Sequence, residues 1–157
     1  MAIRNKTHGI VAKLQGWPAG LNIFSRLVCW QAPYFATVRP RFTALKPGYA
    51  QATVRKRRRV TNHLGTVHAI AMANLCEFVG GTLMEVSIAP NMRWIPKGMD
   101  IRYLRKAETD VTATCEIADY DWEETQDVVL SVKVTDTSGE TVATAEIPMY
   151  VSPKPKR

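Results

Sequence analysis

One segment of the chain, residues 66–84, constrains the fold more than any other. It is rich in alanine, leucine and methionine, which favour helices, and Thr66 is placed to cap its start. Apolar residues occur on nearly all of its sides, so the helix is expected to be buried rather than laid on a surface. The flanking segments alternate between apolar and polar residues instead. A curved antiparallel sheet wrapped around the helix would bury it, which predicts an α+β fold with one long central helix.

The alternating segments read as strands on both sides of this helix. Two runs, 35–45 and 49–60, precede it, and a Pro-Gly turn at 47–48 joins them into a hairpin. A stretch with Pro90 and Pro96 is expected to form a packed loop after it. Four further runs follow, at 101–104, 111–117, 128–135 and 141–151. We therefore predict an N-terminal helical extension over residues 1–34, one domain over 35–151 and a basic tail over 152–157.

Composition limits the class of protein. The chain has 157 residues, 46% of them hydrophobic, which is enough to bury one core. No apolar run approaches the ~20 residues of a membrane-spanning helix, and the start of the chain lacks the pattern of a secretory signal. Cys29, Cys76 and Cys115 are widely spaced, which indicates neither a disulfide framework nor a metal site. These features predict a cytoplasmic protein with no metal and no membrane partner.

Charge is divided unevenly along the chain. Residues 1–76 contain twelve Lys or Arg and no Asp or Glu, whereas all fourteen carboxylates lie from Glu77 onward. A basic half of this kind suits a polyanion, either a nucleic acid or a phosphate-bearing cofactor, unless the two halves neutralise each other on folding. The densest basic run, 55–59, is predicted to lie on a strand, so that its side chains alternate between two faces.

The start of the central helix carries a family resemblance. Residues 62–69 read Asn-His-Leu-Gly-Thr-Val-His-Ala, and Glu77 follows nine residues after His68. This pattern resembles the active-site segment of the phenylacetyl-CoA thioesterase-like branch of the hotdog superfamily, in which an Asn, a Gly-Thr-x-His helix start and a carboxylate have this spacing. Residues 33–37 and 92–99 resemble an uncharacterised subfamily of that branch still more closely.

The resemblance implies a hotdog fold and the hydrolysis of acyl-CoA thioesters. Glu77 would act as the base that activates water, or as the nucleophile. The backbone N–H of Ala69 would polarise the thioester carbonyl at the helix start, where donors are unpaired and the dipole is positive. Asn62 would hold the carbonyl or the water, or brace the turn. His68 would order the helix start through its ring N–H, with proton transfer as the alternative. CoA enters as part of the substrate, and no other cofactor is implied.

Helix geometry separates these groups within one chain. Residues nine apart, such as His68 and Glu77, lie ~13 Å apart along the axis and about half a turn out of phase. Asn62, His68 and Ala69 of one subunit are therefore expected to act with the partner's Glu77. This predicts a homodimer, in agreement with the usual assembly of the family, or a tetramer built as a dimer of dimers.

Three positions depart from the family pattern. Its Gly-Gly after the helix-start His is Ala69-Ile70 here, which keeps the backbone N–H groups but narrows the approach. The Ser or Thr that many relatives place one turn after the carboxylate is Gly81, which has no hydroxyl. The next strand, which carries that hydroxyl in another thioesterase type, falls at Ile95-Pro96 and also lacks one.

Basic and apolar side chains supply candidates for binding the two ends of the substrate. The phosphates of CoA are matched by residues whose donors suit phosphate oxygens, namely Arg57, Arg59, Lys97, Arg105 and Lys106. The acyl chain is matched by the segment 92–96, if it is more than a packed loop, and by apolar residues of the helix, namely Met72, Phe78 and Met84.

Other functions stay open on the sequence alone. A non-catalytic protein that binds acyl-CoA or a fatty acyl group would need no helper hydroxyl at Gly81. A hotdog dehydratase or hydratase would pair a His base with a carboxylic acid, for which His68 and Glu77 are candidates. Nucleic-acid binding through residues 55–59 is not expected, because no zinc spacing is present and no aromatic residues interleave with the basic run.

Overall fold

The computed structural model describes residues 5–118 and 120–155, which form three α-helices and one antiparallel sheet. The helices are α1 (Lys6–Gln15), α2 (Gly20–Gln31) and α3 (Ala69–Ser87). The strands are β1 (Arg41–Lys46), β2 (Tyr49–Val54), β3 (Met92–Pro96), β4 (Asp100–Tyr103), β5 (Val111–Glu116), β6 (Gln126–Thr135) and β7 (Thr141–Pro153). Short 3-10 helices occupy Pro33–Thr37 and Arg58–Val60.

The seven described strands form one sheet in the order β1-β2-β5-β6-β7-β3, and β4 also pairs with β7. β6 and β7 make the longest hairpin, which follows from their long apolar–polar alternation: buried residues of β6 alternate with exposed ones from Val128 to Val134. β3 and β4 both lie beside β7 and together form one edge of the sheet, while β1 forms the other.

α3 is the core helix of the domain. Fourteen of its nineteen residues are buried, and it packs against β2, β5, β6 and β7. Among the described residues it is the one helix long and apolar enough to cross a membrane, but 72% of that apolar stretch is buried inside the protein. The predicted α+β hotdog fold, a curved sheet around a long helix, is therefore confirmed.

The predicted start of the central helix was wrong by two residues. The N-cap is His68 rather than Thr66, and its ring Nδ1 accepts a hydrogen bond from the N–H of Ile70 at 3.0 Å. The Thr66 hydroxyl is bonded to the side chain of Asn62 instead, so it is not available to cap the helix.

Three predicted strand or loop assignments also differ from the structure. Residues 35–40 hold most of a 3-10 helix rather than the start of a strand, and β1 begins at Arg41. β2 ends at Val54, so the basic run 55–59 lies in a loop and the following 3-10 helix, not on a strand. The predicted loop at 92–96 is strand β3, which accommodates Pro96 because an edge strand has one side without ladder hydrogen bonds.

The structure describes the two ends of the chain only in part. α1 and α2 lie in the predicted extension 1–34, and β7 runs two residues beyond the predicted limit of the domain at 151. Residues 1–4 of the extension, and Lys156 and Arg157 of the predicted tail 152–157, lie outside the described residues. The three-part division of the chain stays a prediction.

Two of the three cysteines are expected to be unreactive in the folded protein. Cys76 and Cys115 are buried, and loss of solvent around each thiol raises its pKa to about 12. Burial also raises the pKa of the half-buried Cys29. Because the thiolate is the reactive form, we expect a disulfide reagent at pH 8 to modify at most Cys29, slowly, and to modify all three after unfolding in guanidinium. Rapid reaction of more than one thiol in the folded protein would contradict this packing.

Candidate functional site

Glu77 is one of the few exposed residues on a helix that is mostly buried. It lies near the middle of α3, where its neighbours Cys76 and Phe78 are inaccessible to solvent, yet its own side chain is exposed in the single chain. It takes part in none of the side-chain hydrogen bonds or ion pairs between residues 5–118 and 120–155. A carboxylate that is held on a rigid helix but left without a partner is available for chemistry.

The cleft around Glu77, here called the Glu77 cleft, is mostly apolar. It has a volume of about 560 Å³ and lies between α3, α1, α2 and β3. Its apolar lining is Ile10, Phe24, Leu27, Val28, Phe35 and Trp94. The volume is within the range of small-molecule sites, and the lining suits a hydrocarbon chain, with the carboxylates of Glu77 and Glu85 at its wall.

Gly81 faces the indole of Trp94 in this cleft. A Cβ atom at Gly81 would lie 2.9 Å from Cη2 of Trp94, closer than carbon atoms pack. The indole is held in place because its Nε1–H donates to Oε2 of Glu85 at 3.0 Å. The aromatic ring therefore occupies the space that a Ser or Thr side chain at position 81 would need.

Gly81→Thr, which would restore a hydroxyl, is therefore expected to destabilise the protein by about 1–3 kcal/mol through overpacking. Adding Trp94→Leu should recover part of this loss, since the two side chains compete for one space. Urea denaturation of the single and double variants measures the coupling, with Gly98→Thr as a control because no atom lies within 4 Å of a Cβ placed there. Wild-type stability of Gly81→Thr alone would contradict the predicted clash.

Asn62 braces the turn that leads into α3. Its Oδ1 accepts from the N–H of Leu64 at 3.0 Å and of Thr66 at 3.2 Å, and its Nδ2 donates to the Thr66 hydroxyl at 3.0 Å. Gly65 in this turn has φ +73°, a conformation that favours glycine. The motif thus fixes the backbone before the helix, and the second amide hydrogen of Asn62 is left to donate elsewhere.

The helix start offers one free donor. His68 lies at this helix start, where its Nδ1 accepts a hydrogen bond from the N–H of Ile70, whereas the predicted contact was one that a ring N–H donates. In the part of the chain that the structure describes, the N–H of Ala69 makes no hydrogen bond, as expected for the first helical residue. The hydroxyl of Tyr103 donates to the carbonyl oxygen of Ala69 at 3.1 Å and anchors this residue.

A second cleft, here called the Ala69 cleft, lies at this end of α3. Its volume is about 420 Å³, and its lining includes Asn62, Ala69, Met72, Arg105 and Lys106. It is separate from the Glu77 cleft, and Ala69 and Glu77 are eight helical residues apart, or about 12 Å along the axis. Within one chain, the predicted catalytic groups therefore lie in two different clefts.

The five basic residues predicted to bind CoA are in different surroundings. Arg105 and Lys106 line the Ala69 cleft, although the guanidinium of Arg105 also lies 3.4 Å from Glu140. Arg59 lies beside His68 in a small pocket. Arg57 donates to the carbonyl of Val38. Lys97, in the turn between β3 and β4, forms an ion pair with Asp127 of β6 at 3.1 Å. The structure thus brings together only Arg105 and Lys106 beside the predicted carbonyl donor.

The predicted acyl-chain residues do not share one cavity. Met72 lines the Ala69 cleft, whereas Met84 is inaccessible in the core. Phe78 is also inaccessible and stacks on Phe42 with ring centroids 4.4 Å apart. The apolar wall near Glu77 is supplied instead by α2, a contribution that was not predicted, and by Trp94 of the segment 92–96.

Comparison with known proteins gives the family. Residues 20–151 match the family model described as a domain of unknown function, DUF4442. The chain belongs to this family. The DUF4442 match spans α2 to β7 and so includes most of both clefts, while α1 lies before it. A search of curated proteins finds no significant match.

Solved structures agree on the fold. A structural-genomics protein whose name states no function is 42% identical, with a TM-score of 0.82 over 94% of this chain and 99% of its own. A Pseudomonas aeruginosa protein of unknown function, named a probable thioesterase, is 22% identical, with a TM-score of 0.77 over 88% of this chain and 97% of its own. A Haemophilus influenzae thioesterase is 13% identical, with a TM-score of 0.68 over 76% and 82%. This DUF4442 protein thus has the fold of thioesterase-like hotdog proteins.

Sequence reasoning missed one polar residue of α3. Asn74 is buried on α3 one turn before Glu77, and its side-chain amide has no hydrogen-bond partner within the described residues. The only signal in the sequence was a polar residue inside an apolar helix, three positions before the carboxylate. Its burial depends on the distant 3-10 helix Pro33–Thr37, which no local pattern places beside α3.

Proposed function

We propose that this protein hydrolyses acyl-CoA thioesters as a homodimer, with Glu77 as the base or the nucleophile. The observation that carries the proposal is the carboxylate of Glu77, which has no partner among the described residues and lies at the wall of a mostly apolar cleft. The cleft would hold the acyl chain, so the thioester carbonyl would lie close to the carboxylate.

The chemistry needs two groups that the structure leaves unpaired. As a base, the Glu77 carboxylate takes a proton from water while the water oxygen attacks the carbonyl carbon. As a nucleophile, it attacks that carbon itself to give an anhydride, which water then hydrolyses. In both routes the negative charge on the carbonyl oxygen is stabilised by the free N–H of Ala69, the C–S bond breaks, and CoA leaves as a thiolate that takes up a proton.

Two separate clefts in one chain support a site shared between two copies. The Ala69 cleft of one copy would face the Glu77 cleft of the other, which brings the donor and the carboxylate to one carbonyl. The β3–β4 edge of the sheet is available for pairing. Exposed apolar side chains lie near that edge and the start of α3, namely Leu64, Ile70, Ile95, Tyr103 and Leu104. A homodimer would cover them, and a tetramer would require a second interface.

The basic residues of the Ala69 cleft fit the CoA end of the substrate. Arg105 and Lys106 lie beside Ala69, where the pantetheine arm would leave the site. They would contact its phosphates, and Arg57, Arg59 and Lys97 remain further candidates. We place the protein in the cytoplasm, where its free cysteines would stay reduced.

A screen of thiol release tests the proposal. The purified protein would be incubated with short, long and aromatic acyl-CoAs, and free CoA would be measured with a disulfide reagent. We expect release with at least one class, saturable in substrate, and little background from the protein's own buried thiols. Absence of release with every class would rule out the hydrolase.

The Gly81–Trp94 contact favours a second candidate, a non-catalytic acyl-CoA or fatty-acyl binding protein. The helper hydroxyl of many relatives has no room here, which would suit a cleft that holds an acyl chain without cleaving it. This candidate predicts saturable binding of acyl-CoA by calorimetry together with no thiol release. The same preparation and substrates therefore distinguish the two functions.

A further inference from the structure

The side chain of Asn74 is a buried polar group without a partner. Asn74 is 4% exposed, and neither Nδ2 nor Oδ1 makes a hydrogen bond within residues 5–118 and 120–155. Buried polar atoms are almost always hydrogen-bonded, because an unpaired one loses its contacts with water and gains nothing in return. An amide kept in this condition on a core helix indicates that its partner is a group bound from outside the chain.

Asn74 lies in the wall of a small pocket, here called the Asn74 pocket. The pocket has a volume of about 160 Å³ and lies between the start of α3 and the two 3-10 helices. Its other polar lining residues are Tyr34, Thr37, Arg59, Thr61 and His68. The pocket is too small for a nucleotide or a long chain, which need ~300 Å³ or more, but it can admit a single carboxylate or phosphate group.

The groups around this pocket are mainly hydrogen-bond donors. Because Nδ1 of His68 accepts from Ile70, the proton of its neutral ring is on Nε2, which is left to donate. Arg59 brings up to five N–H donors and has no carboxylate within 4 Å in the described part of the chain. No Asp or Glu is among the described residues that line the pocket.

The surroundings of the pocket are electropositive. The pKa of Arg57 is lowered by burial and by its neighbours Arg39, Arg59 and Arg41, which shows that these guanidinium groups crowd together. None of the four forms an ion pair within residues 5–118 and 120–155. The pocket also lies at the N-terminal end of α3, where the helix dipole favours negative charge. An anion would relieve the repulsion and supply the missing acceptor.

We propose that the Asn74 pocket binds a compact oxyanion, a carboxylate or phosphate group, through Nδ2 of Asn74, Nε2 of His68 and the guanidinium of Arg59. The Oδ1 atom of Asn74 accepts from a water that enters with the anion. Since Asn74 and Glu77 are three residues apart on one helix, the bound group lies next to the Glu77 cleft. If the proposed function holds, the oxyanion belongs to the substrate, as a carboxylate on the acyl group or a phosphate of CoA.

Anion titrations test the pocket without relying on catalysis. Inorganic phosphate and succinate would be titrated into the protein at constant ionic strength, and the melting temperature followed. We expect a saturable rise for the wild type, because an anion that binds only the folded state stabilises it. Asn74→Leu and Arg59→Gln should weaken binding at least about tenfold, the loss of one charge-assisted hydrogen bond. Lys133→Gln removes one positive charge on β6, outside the pocket and outside this group of arginines, and should bind as the wild type does.

The melting temperature of Asn74→Leu without anion is a second measurement, and a purely structural role of the amide predicts the opposite result. Leucine has nearly the shape of asparagine but no polar atoms, so without anion this variant should be at least as stable as the wild type. A lower melting temperature of Asn74→Leu with unchanged anion binding would overturn the proposal and make the amide a structural contact. An equal rise for all four proteins would also overturn it, as a general salt effect.

Two further comparisons identify the source of the oxyanion. If the acyl group carries it, succinyl-CoA should bind more tightly than butyryl-CoA to the wild type but not to Asn74→Leu. If the 3′-phosphate of CoA provides it, CoA should bind more tightly than dephospho-CoA, with the same loss in the variant. Calorimetry measures both pairs of binding affinities and does not depend on turnover. Failure of the hydrolase assay and failure of the anion titration can therefore be told apart.

Discussion

Replacement of Glu77 by glutamine is expected to lower turnover by on the order of 10²–10⁴-fold while the protein stays folded. The amide has nearly the size of the carboxylate but can neither accept the proton of water nor attack the carbonyl carbon. Glu77 is exposed and forms no ion pair among the described residues, so its replacement removes no structural contact. Steady-state thiol release measures the loss, and thermal melting monitors the fold.

Glu85 provides the matched control on the same helix. It is also an exposed carboxylate of α3, two turns further on, but its oxygens bind the indole of Trp94 and the hydroxyl of Thr7. Glu85→Gln removes the same charge and keeps one oxygen that can accept from the indole, while its amide nitrogen can donate to the Thr7 hydroxyl, so turnover should stay within about threefold of wild type. Wild-type turnover in Glu77→Gln would exclude the proposed mechanism, whatever the control shows.

Ala69→Pro is the second change with a large expected effect. It deletes the N–H proposed to stabilise the oxyanion, and turnover should fall by about 10²–10³-fold. Proline is tolerated at the first helical position, where the N–H has no intrahelical partner, and His68 already has the extended conformation that a following proline favours. The helix should therefore form normally. Unchanged turnover in a folded Ala69→Pro protein would remove this N–H from the mechanism.

Mixing the two inactive variants tests whether the site is shared. In a heterodimer of Glu77→Gln and Ala69→Pro chains, one site receives both substitutions and the other receives neither. Random exchange of subunits should therefore recover about one quarter of wild-type activity, because half of the dimers are mixed and each has one intact site. If Glu77 worked with Ala69 of its own chain, no mixture would recover activity. Native mass spectrometry, which separates the mixed dimer from the two parent dimers by mass, confirms that exchange has occurred.

Much of the fold followed from local patterns in the sequence. The apolar composition of residues 69–84 indicated a buried helix, and the alternation in 128–135 and 141–151 indicated the central hairpin. The end of β2 did not follow, because it depends on a contact between distant residues: the N–H of Lys56 donates to Oδ1 of Asp110 at 2.8 Å rather than to a neighbouring strand. Strand β3 was missed since its Pro96 is acceptable only at a sheet edge.

The parts of the candidate site that depend on residue spacing along α3 were predictable from the sequence. The positions of Ala69 and Glu77 on one helix follow from residue number alone, and so does their separation into two clefts. The contact of Trp94 with Gly81 was not predictable, because it requires the edge strand to lie over the helix. The burial of Asn74 depends in the same way on the chain around Tyr34, forty residues earlier.

The fit between Gly81 and the indole of Trp94 also limits how this sequence can change over time. A single substitution that adds a hydroxyl at position 81 collides with the ring. A single substitution that shrinks the ring leaves a void beside the Glu77 cleft and frees Glu85 from its hydrogen bond. Each first step is expected to lower stability before the second can restore it, so positions 81 and 94 should change together rather than one at a time.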